Sequence, residues 1–298
     1  PKNLRKSLSR TINFKQPKVL EEIGDKVSRV IKFKLVFKEK EAPVETVLLL
    51  NKKRRPTFCV SSQIGCSYDC TFCETSKMGF ERNLTSGEIL YQVWLLRSKL
   101  EQLSLPCSHN VVFMGMGEPL ANSSNLTNAL HGLHSKNRFS ISWRRITVST
   151  VGSVRGIKRL ADEFPQVNLA VSLNAPREDL RRKIMPAAGR VSLKRLINSV
   201  KHHHLKTGRL PTFEYVMLSK TNDTIRDAKD LSKLLHDIPC LINLIPYNAS
   251  RRTGIYKASE KRDIERFKRV LDKSNKKVTI RCSPGEKIMA ACGQLATK

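Results

Sequence analysis

The sequence predicts an α/β protein, a full or partial (β/α) barrel with a small β-rich appendage at its amino end. Short apolar segments alternate with amphipathic helical patterns along most of the chain, which is typical of right-handed βαβ units and a parallel sheet. Polar and glycine-containing segments follow the predicted strands, where a barrel places its active-site loops. Because no Gly-x-Gly-x-x-Gly motif opens a helix, a dinucleotide-binding fold has little support.

The predicted elements divide the chain into two parts. We expect residues 1–56 to form the appendage, with a basic, flexible tail over 1–20 and strands at 30–37 and 44–50. We expect residues 57–298 to form the barrel core, which begins with a strand at 57–62. Helices are then predicted at 85–103, where Thr85 and Glu88 form a capping box, and at 125–133, 154–163, 193–205, 224–235 and 260–271. Strands are predicted between and after these helices, at 110–114, 145–149, 167–173, 212–217, 241–245 and 277–281.

The charge of the chain indicates a polyanionic partner. Its 298 residues include 55 Lys and Arg against 26 Asp and Glu, a formal net charge of +29. We therefore expect binding to RNA or DNA, although a merely solvated basic surface stays an alternative. No apolar stretch approaches the roughly 20 residues that span a bilayer, so we expect no membrane partner.

Three of the eight cysteines predict a metal site. Cys66, Cys70 and Cys73 lie in a loop after the strand at 57–62, with the spacing C-x3-C-x2-C. Three thiolates on one short loop can bind three corners of a [4Fe–4S] cluster and leave the fourth iron open. A structural zinc site needs a fourth ligand, and no other Cys or His stands within several residues. Zinc is therefore the weaker interpretation, although the more distant Cys59 could complete such a site.

The cysteine spacing, with the aromatic Phe72 just before the last cysteine, resembles the signature of the radical S-adenosylmethionine (SAM) superfamily. In that superfamily the open iron chelates SAM, and reduction of the cluster splits SAM into methionine and a 5′-deoxyadenosyl radical. The segment 115–119, Gly-Met-Gly-Glu-Pro, is similar to the superfamily's site for the SAM amino group. Glycines allow close backbone approach there, and a carboxylate accepts hydrogen bonds from an ammonium group.

Five segments, taken in order, resemble the RlmN/Cfr family, which methylates adenosines of 23S rRNA and, in the RlmN branch, also of tRNA. They are residues 44–46, 58–66, 113–120, 243–248 and 290–295. The resemblance favours the RlmN-type product, methylated at carbon 2 of adenine. A Cfr-type product, methylated at carbon 8, is the first alternative, and a non-catalytic RNA-binding metalloprotein is the second.

The resemblance also implies roles for individual residues. Cys292 would take a methyl group from one SAM, and the radical from a second SAM would activate that methyl group for addition to the adenine ring. Cys59 would release the RNA by attacking the Cys292 sulfur, and Glu45 would remove the ring proton. The implied cluster ligands are Cys66, Cys70 and Cys73, and the implied SAM contacts are Gly117, Glu118, Ser149, Ser172, Leu173, Asn174 and Asn248. Taken singly, these cysteines would be ordinary core residues.

The chain departs from the family pattern at three places. Asn174 stands where the family has histidine, and the acidic residues usual before the methylated cysteine are altered in segment 285–289. From the resemblance we also expect the family's helical amino-terminal domain to be mostly absent, with residues 4–11 as a candidate remnant.

Expectations about partners complete the sequence-based hypothesis. The family chemistry implies an electron donor such as flavodoxin or ferredoxin, and we expect a monomer in the cytoplasm, with a plastid or mitochondrion as the alternative. Because the target base has to reach a barrel mouth, we expect an unpaired or flipped adenosine in folded RNA.

Overall fold

A computed structural model describes residues 17–50, 55–249, 254–281 and 284–296 of the protein. Its main feature is one ten-stranded sheet in the order β1-β2-β3-β4-β7-β8-β9-β10-β11-β12. The strands are β1 (Lys18–Asp25), β2 (Val30–Val36), β3 (Val44–Leu49), β4 (Thr57–Cys59), β7 (Asn110–Phe113), β8 (Ile146–Thr150), β9 (Asn168–Ser172), β10 (Thr212–Met217), β11 (Leu241–Pro246) and β12 (Lys277–Ile280). A separate antiparallel hairpin is formed by β5 (Gln63–Gly65) and β6 (Phe80–Asn83).

The sheet changes character at β4. Strands β1 to β4 pair antiparallel, whereas each pair from β4–β7 to β11–β12 is parallel. Among the described residues β12 pairs only with β11, so the sheet is open and the barrel is partial. The appendage therefore continues the barrel sheet through the β3–β4 ladder. The division of the chain at residue 56 stays a prediction.

Helices lie in the connections between the parallel strands, and the first of them lies between β5 and β6. They are α1 (Glu74–Lys77), α2 (Ser86–Gln102), α3 (Ser123–His134), α4 (Val154–Glu163), α5 (Glu178–Ile184), α6 (Leu193–Thr207), α7 (Ile225–Leu234) and α8 (Lys261–Lys273). Helix α2 shows why they form, because Ile89, Val93, Leu96 and Leu100 recur at helical spacing and are all fully buried. No helix in the described part of the chain is long and apolar enough to cross a membrane.

The capping box of α2 is confirmed and also anchors the appendage. The Glu88 amide donates to Thr85 Oγ1 over 3.2 Å, and the Thr85 amide donates to Glu88 Oε2 over 2.7 Å. Arg82 then joins the Glu88 carboxylate to that of Glu41, which lies between β2 and β3. The two carboxylates hold the guanidinium at 2.8 Å and 2.5 Å, so β6, α2 and the appendage meet at one charged group.

Two sequence predictions were wrong in detail. The flexible tail was expected to extend to residue 20, but β1 begins at Lys18, while residues 1–16 lie outside the described part. Strand β1 is mostly exposed and forms through its ladder with β2, so it lacks the apolar alternation that marks a buried strand. The strand predicted at 57–62 is shorter than expected and ends at Cys59, and a separate strand, β5, follows at residues 63–65 and pairs with β6.

Gly65 is the last residue of β5 and lies immediately before the loop that carries the three cysteines. Substituting Gly65 measures how tightly the β5–β6 hairpin is packed. The φ of Gly65, +71°, lies in the left-handed region, and a Cβ there would lie 1.7 Å from the Gly79 carbonyl oxygen. Gly79 has a similar φ of +76° but open space around it, so Gly79→Ala is a matched control. We expect Gly79→Ala to lower the free energy of unfolding by about 1 kcal/mol. Gly65→Ala should lose a further 1–3 kcal/mol, roughly, from overpacking.

Urea denaturation of both variants measures the difference. Equal losses of stability in the two variants would contradict this description of the hairpin.

Candidate active site

The cysteine loop lies between β5 and α1 and is held by its backbone. The Cys66 amide donates to the Gly79 carbonyl over 2.8 Å, and the Thr71 amide donates to the Ile184 carbonyl over 3.0 Å. Ser76 Oγ donates to the carbonyl oxygens of Cys70 and Cys73 over 2.5 Å and 2.7 Å. The loop therefore presents its three thiols from a fixed backbone.

The surroundings of the three thiols suit a bound cationic cluster. Burial raises the pKa of Cys66 to about 12, raises that of Cys70 well above its ordinary range, and raises that of Cys73. The neighbouring thiols push the pKa values of Cys66 and Cys70 further in the same direction. Three desolvated thiolates repel one another unless a positive centre binds them, which is the condition that iron provides.

A single metal ion fits this part of the chain less well. In the described ranges, no three His, Cys, Asp or Glu side chains converge to hold one metal ion. A cubane cluster does not require such convergence, because each thiolate binds a different iron atom. The three cysteines therefore fit the cluster that the spacing predicts.

Gly117 and Glu118 lie next to this loop, after β7. Gly117 has a φ of +93°, and a Cβ there would lie 2.4 Å from the Gln63 side chain. The Glu118 carboxylate accepts from the Val151 amide over 2.8 Å and from the Leu120 amide over 3.2 Å. Burial nevertheless raises the pKa of Glu118 to about 7, because no cationic partner among the described residues stabilises its ionised form.

Most of the expected site residues face one cavity. Its empty volume is about 900 Å³, its open mouth included, and it lies inside the curve of the parallel strands. The expected site residues that line it are Cys70, Cys73, Gly117, Glu118, Ser149, Ser172, Asn174 and Cys292. The carboxyl ends of three neighbouring strands, β7, β8 and β9, thus bring the five expected SAM contacts of this set together, as expected for a barrel site.

Asn174 fits its position in the backbone. Its φ of +57° lies in the left-handed region, which asparagine adopts more readily than most other residues. Its side-chain oxygen accepts from the Val216 amide over 2.9 Å, and its side-chain nitrogen contacts Met185 Sδ at 3.4 Å. The departure from the family histidine therefore leaves a buried and well-supported amide at the cavity wall.

Cys66, Leu173 and Asn248 do not line this cavity. The Leu173 side chain is fully buried in the main core, so only its backbone could meet a ligand. Asn248 Nδ2 instead donates to the Cys292 carbonyl oxygen over 3.2 Å. It therefore supports the segment that carries Cys292.

Cys292 lies on a carboxyl-terminal segment that crosses the mouth of the cavity. The Glu74 amide of α1 donates to the Gly293 carbonyl over 2.8 Å, and Thr75 Oγ1 donates to the Leu295 carbonyl over 2.6 Å. Gln294 Nε2 donates to the Ala249 carbonyl over 2.8 Å. Hydrogen bonds therefore join this segment to both the cysteine loop and the end of β11.

Cys59 lies behind Cys292, at the end of β4. Both thiols line a second, apolar pocket, together with Arg281 and side chains such as Val47 and Leu295. Burial, together with the nearby Cys292, raises the pKa of Cys59 to about 12. The structure thus brings together two cysteines that are 233 positions apart in the sequence, from 59 to 292.

Glu45 lies outside both pockets and contacts the same carboxyl-terminal segment from the appendage. Its Oε1 pairs with the Lys32 ammonium at 2.9 Å, and its Oε2 accepts from the Ala296 amide over 2.9 Å. Burial raises the pKa of Glu45, although Lys32 opposes that effect. The same Lys32 ammonium donates to the Met289 carbonyl over 3.2 Å.

Three polar residues of the site were not singled out from the sequence. Arg281 and Glu214 line the main cavity, and Gln63 accepts from the Glu118 amide over 2.8 Å. Glu214 offered a signal, since a lone carboxylate in the apolar strand 212–217 is unusual for a buried strand. No signal in the sequence marked Arg281 or Gln63, because a single arginine or glutamine at a strand end is common.

Comparisons with known proteins give the class. A family model described as the radical SAM superfamily matches residues 60–232. Streptococcus suis SuiB bound to S-adenosylmethionine, 13% identical, covers 75% of this chain with a TM-score of 0.54 and shares the fold. The chain belongs to the radical SAM superfamily.

Closer relatives give the family. The chain is 43% identical to the dual-specificity RNA methyltransferase RlmN of Lawsonia intracellularis, over 100% of this chain and 84% of the relative. It is 41% identical to the probable RlmN of Dictyoglomus turgidum, over 99% of this chain and 83% of the relative. The crystal structure of a radical SAM methyltransferase from Sphaerobacter thermophilus is 37% identical, with a TM-score of 0.95, and covers 100% of this chain and 86% of that one. Within the superfamily, the chain belongs to the RlmN family.

Glu118 makes the stability of the ligand-free protein depend on pH. Its pKa of about 7 lies above the ordinary 4.5, so the folded protein holds the proton more tightly than the unfolded chain does. Its contribution to stability is therefore complete at low pH and is lost as the pH rises from about 4.5 to 7. Relative to wild type, Glu118→Gln should gain about 3 kcal/mol in free energy of unfolding across that window.

Urea denaturation of the cluster-free protein at several pH values measures this difference. A difference between variant and wild type that is the same at every pH would contradict the burial of an unpaired carboxylate.

Proposed function

We propose that this protein methylates carbon 2 of an adenosine in 23S rRNA, tRNA or both, with a methylated cysteine as the intermediate. The observation that carries the proposal is that Cys70 and Cys73, five of the expected SAM contacts and Cys292 face one cavity, and that Cys292 shares a second pocket with Cys59. Similarity to relatives named as RNA methyltransferases, together with the net charge of +29, supports RNA as the substrate.

Cys66, Cys70 and Cys73 would hold the [4Fe–4S] cluster, which when bound supplies one electron for reductive cleavage of SAM. The SAM amino group would be accepted by Glu118, whose buried carboxylate has two amide donors and, among the residues that the structure describes, no cationic partner. Ser149, Ser172 and Asn174 present short polar groups along the same wall, where they would orient the rest of the molecule. A positive ammonium beside Glu118 would lower the pKa of that carboxyl group and stabilise its charge.

The remaining residues would handle the methyl group. Cys292 would accept it from one SAM, and a second SAM would supply the radical, so that two molecules are used per turnover. Cys59 would then release the product by forming a disulfide with Cys292, which the shared apolar pocket favours. Glu45 would remove the ring proton. Because Glu45 bonds the backbone of the segment that carries Cys292, this role requires that segment to let the RNA base reach Glu45.

A Cfr-type reaction at carbon 8 would use the same cysteines and is the second candidate. The first experiment separates the two: anaerobically reconstituted protein is given SAM, reductant and RNA, and the RNA is digested to nucleosides. We expect 2-methyladenosine by liquid chromatography and mass spectrometry. The isomer methylated at carbon 8 would support the second candidate, and unmodified adenosine would contradict both.

Single cysteine variants test the separate roles proposed for the thiols of Cys59 and Cys292. We expect Cys59→Ala to accumulate RNA covalently bound to Cys292, seen as a nuclease-sensitive band shift on a denaturing gel, because the attacking thiol is gone. Cys292→Ala should show neither methylated nucleoside nor band shift. Cys107→Ala is the matched control, since Cys107 is exposed and lies in the loop before β7. Full methylation by Cys292→Ala would contradict the proposal.

Several sequence-based expectations go with this proposal. They are an electron donor such as flavodoxin or ferredoxin, which the reductive step requires, a monomeric protein, and a cytoplasmic location with plastid or mitochondrion as alternatives.

A further inference from the structure

Arg281 occupies a position between the two pockets of the site. It follows β12 directly, and its amide donates to the Leu244 carbonyl over 2.9 Å, which continues the β11–β12 ladder. Its side chain lines both the main cavity and the apolar pocket behind it. Of the described residues that line the apolar pocket, the titratable ones are Arg281, Cys59 and Cys292.

The positive charge of Arg281 is only loosely neutralised by carboxylate. Its Nη1 lies 3.8 Å from Glu214 Oε1, beyond the length of a hydrogen bond, and 3.8 Å from Met114 Sδ. Glu214 Oε1 is already bonded to Asn243 Nδ2 over 3.0 Å, and its Oε2 is buried without a hydrogen-bond partner. Burial raises the pKa of Glu214, so its carboxyl group is less able to neutralise the guanidinium.

The two cysteines help to stabilise the positive charge of Arg281, which Glu214 only loosely neutralises. Cys292 raises the pKa of Arg281 more than Glu214 and Cys59 do, and together they outweigh the desolvation of the guanidinium. In return, Arg281 lowers the pKa of Cys59 while burial raises it, and the net value is about 12. At that value about one Cys59 thiol in 10⁵ is ionised at neutral pH, and without the cationic neighbour the fraction would be smaller still.

We propose that Arg281, which lines the pocket shared by the two thiols, is a positioning residue that stabilises the thiolates of Cys292 and Cys59 in turn. This inference rests on the proposed function, because both cysteine steps there begin with a thiolate. In the first, the proton of Cys292 leaves to water, its sulfur bonds to the SAM methyl carbon, and the bond from that carbon to the SAM sulfur breaks.

In the second step, the proton of Cys59 leaves and its sulfur bonds to the Cys292 sulfur. The bond from Cys292 sulfur to the RNA-linked carbon breaks, and that carbon keeps the electron pair and takes a proton to become the methyl group. The two sulfurs are oxidised to a disulfide and the carbon is reduced, so each step balances with Arg281 unchanged.

The test measures thiol reactivity without SAM or RNA. Cluster-loaded protein, free of oxygen, is alkylated with iodoacetamide between about pH 6 and 10, and the rate at each cysteine is read from its peptide by mass spectrometry. The exposed Cys107 is the internal reference. The variants are Arg281→Lys, which keeps the charge, and Arg281→Met and Arg281→Gln, which remove it at similar length.

We expect both neutral variants to lower the alkylation rates of Cys59 and Cys292 near neutral pH by about tenfold or more relative to Cys107. Arg281→Lys should keep most of the wild-type rate. Two neutral variants are used so that one still gives a result if the other does not fold. Unchanged profiles in a folded neutral variant would overturn the inference.

The outcome is separable from that of the proposed function. Unchanged thiol profiles in a variant whose parent methylates RNA overturn the role of Arg281 alone. The expected profiles in a protein that never methylates RNA overturn the proposed reaction and leave the electrostatic role of Arg281 standing.

Discussion

The docking of the carboxyl-terminal segment across the barrel mouth is the interaction on which the site depends. Residues 291–296 are short and mostly irregular, so their own backbone hydrogen bonds cannot hold them. Three other parts of the fold do so: α1 through Gly293 and Leu295, the end of β11 through Cys292, and the appendage through Ala296. A change in any one of them moves Cys292.

This arrangement explains why the appendage belongs to the site although it lies outside the parallel barrel. The buried pair of Lys32 and Glu45 joins β2 to β3 and bonds the backbone of the carboxyl-terminal segment at Met289 and Ala296. Removing one partner of a buried ion pair leaves a desolvated charge and costs more than the pair itself contributes. The pair thus couples the position of Cys292 to the integrity of the appendage.

Desolvation is the second common feature of the site. The pKa values of Glu118, Glu214, Cys59 and the cluster cysteines are all raised by burial. Each of these groups is therefore poorly stabilised as an anion by the protein alone, and each lies where a cation could stabilise it. An iron cluster and an ammonium group are such cations for two of the sites, and Arg281 is the one that the chain itself provides.

Much of this site could be predicted from the sequence because its signals are local. The cysteine spacing, the Gly-Met-Gly-Glu segment and the strand and helix periodicities each lie within a few residues, and the structure confirms the α/β fold that they indicate. The contacts of Lys32, Gln63 and Arg281 could not be predicted, since each depends on which distant segments the folded chain brings together. Strand β1 was missed for a different reason: it buries too little surface to leave an apolar pattern.

The central claim is that Cys292 carries the methyl group, and the protein itself can be examined for it. Protein isolated without oxygen from cells fed methyl-deuterated methionine should yield a peptide with a deuterated one-carbon group on Cys292, and none on Cys59 or Cys107. Adenosines that acquire the label while the Cys292 peptide never does would contradict the account.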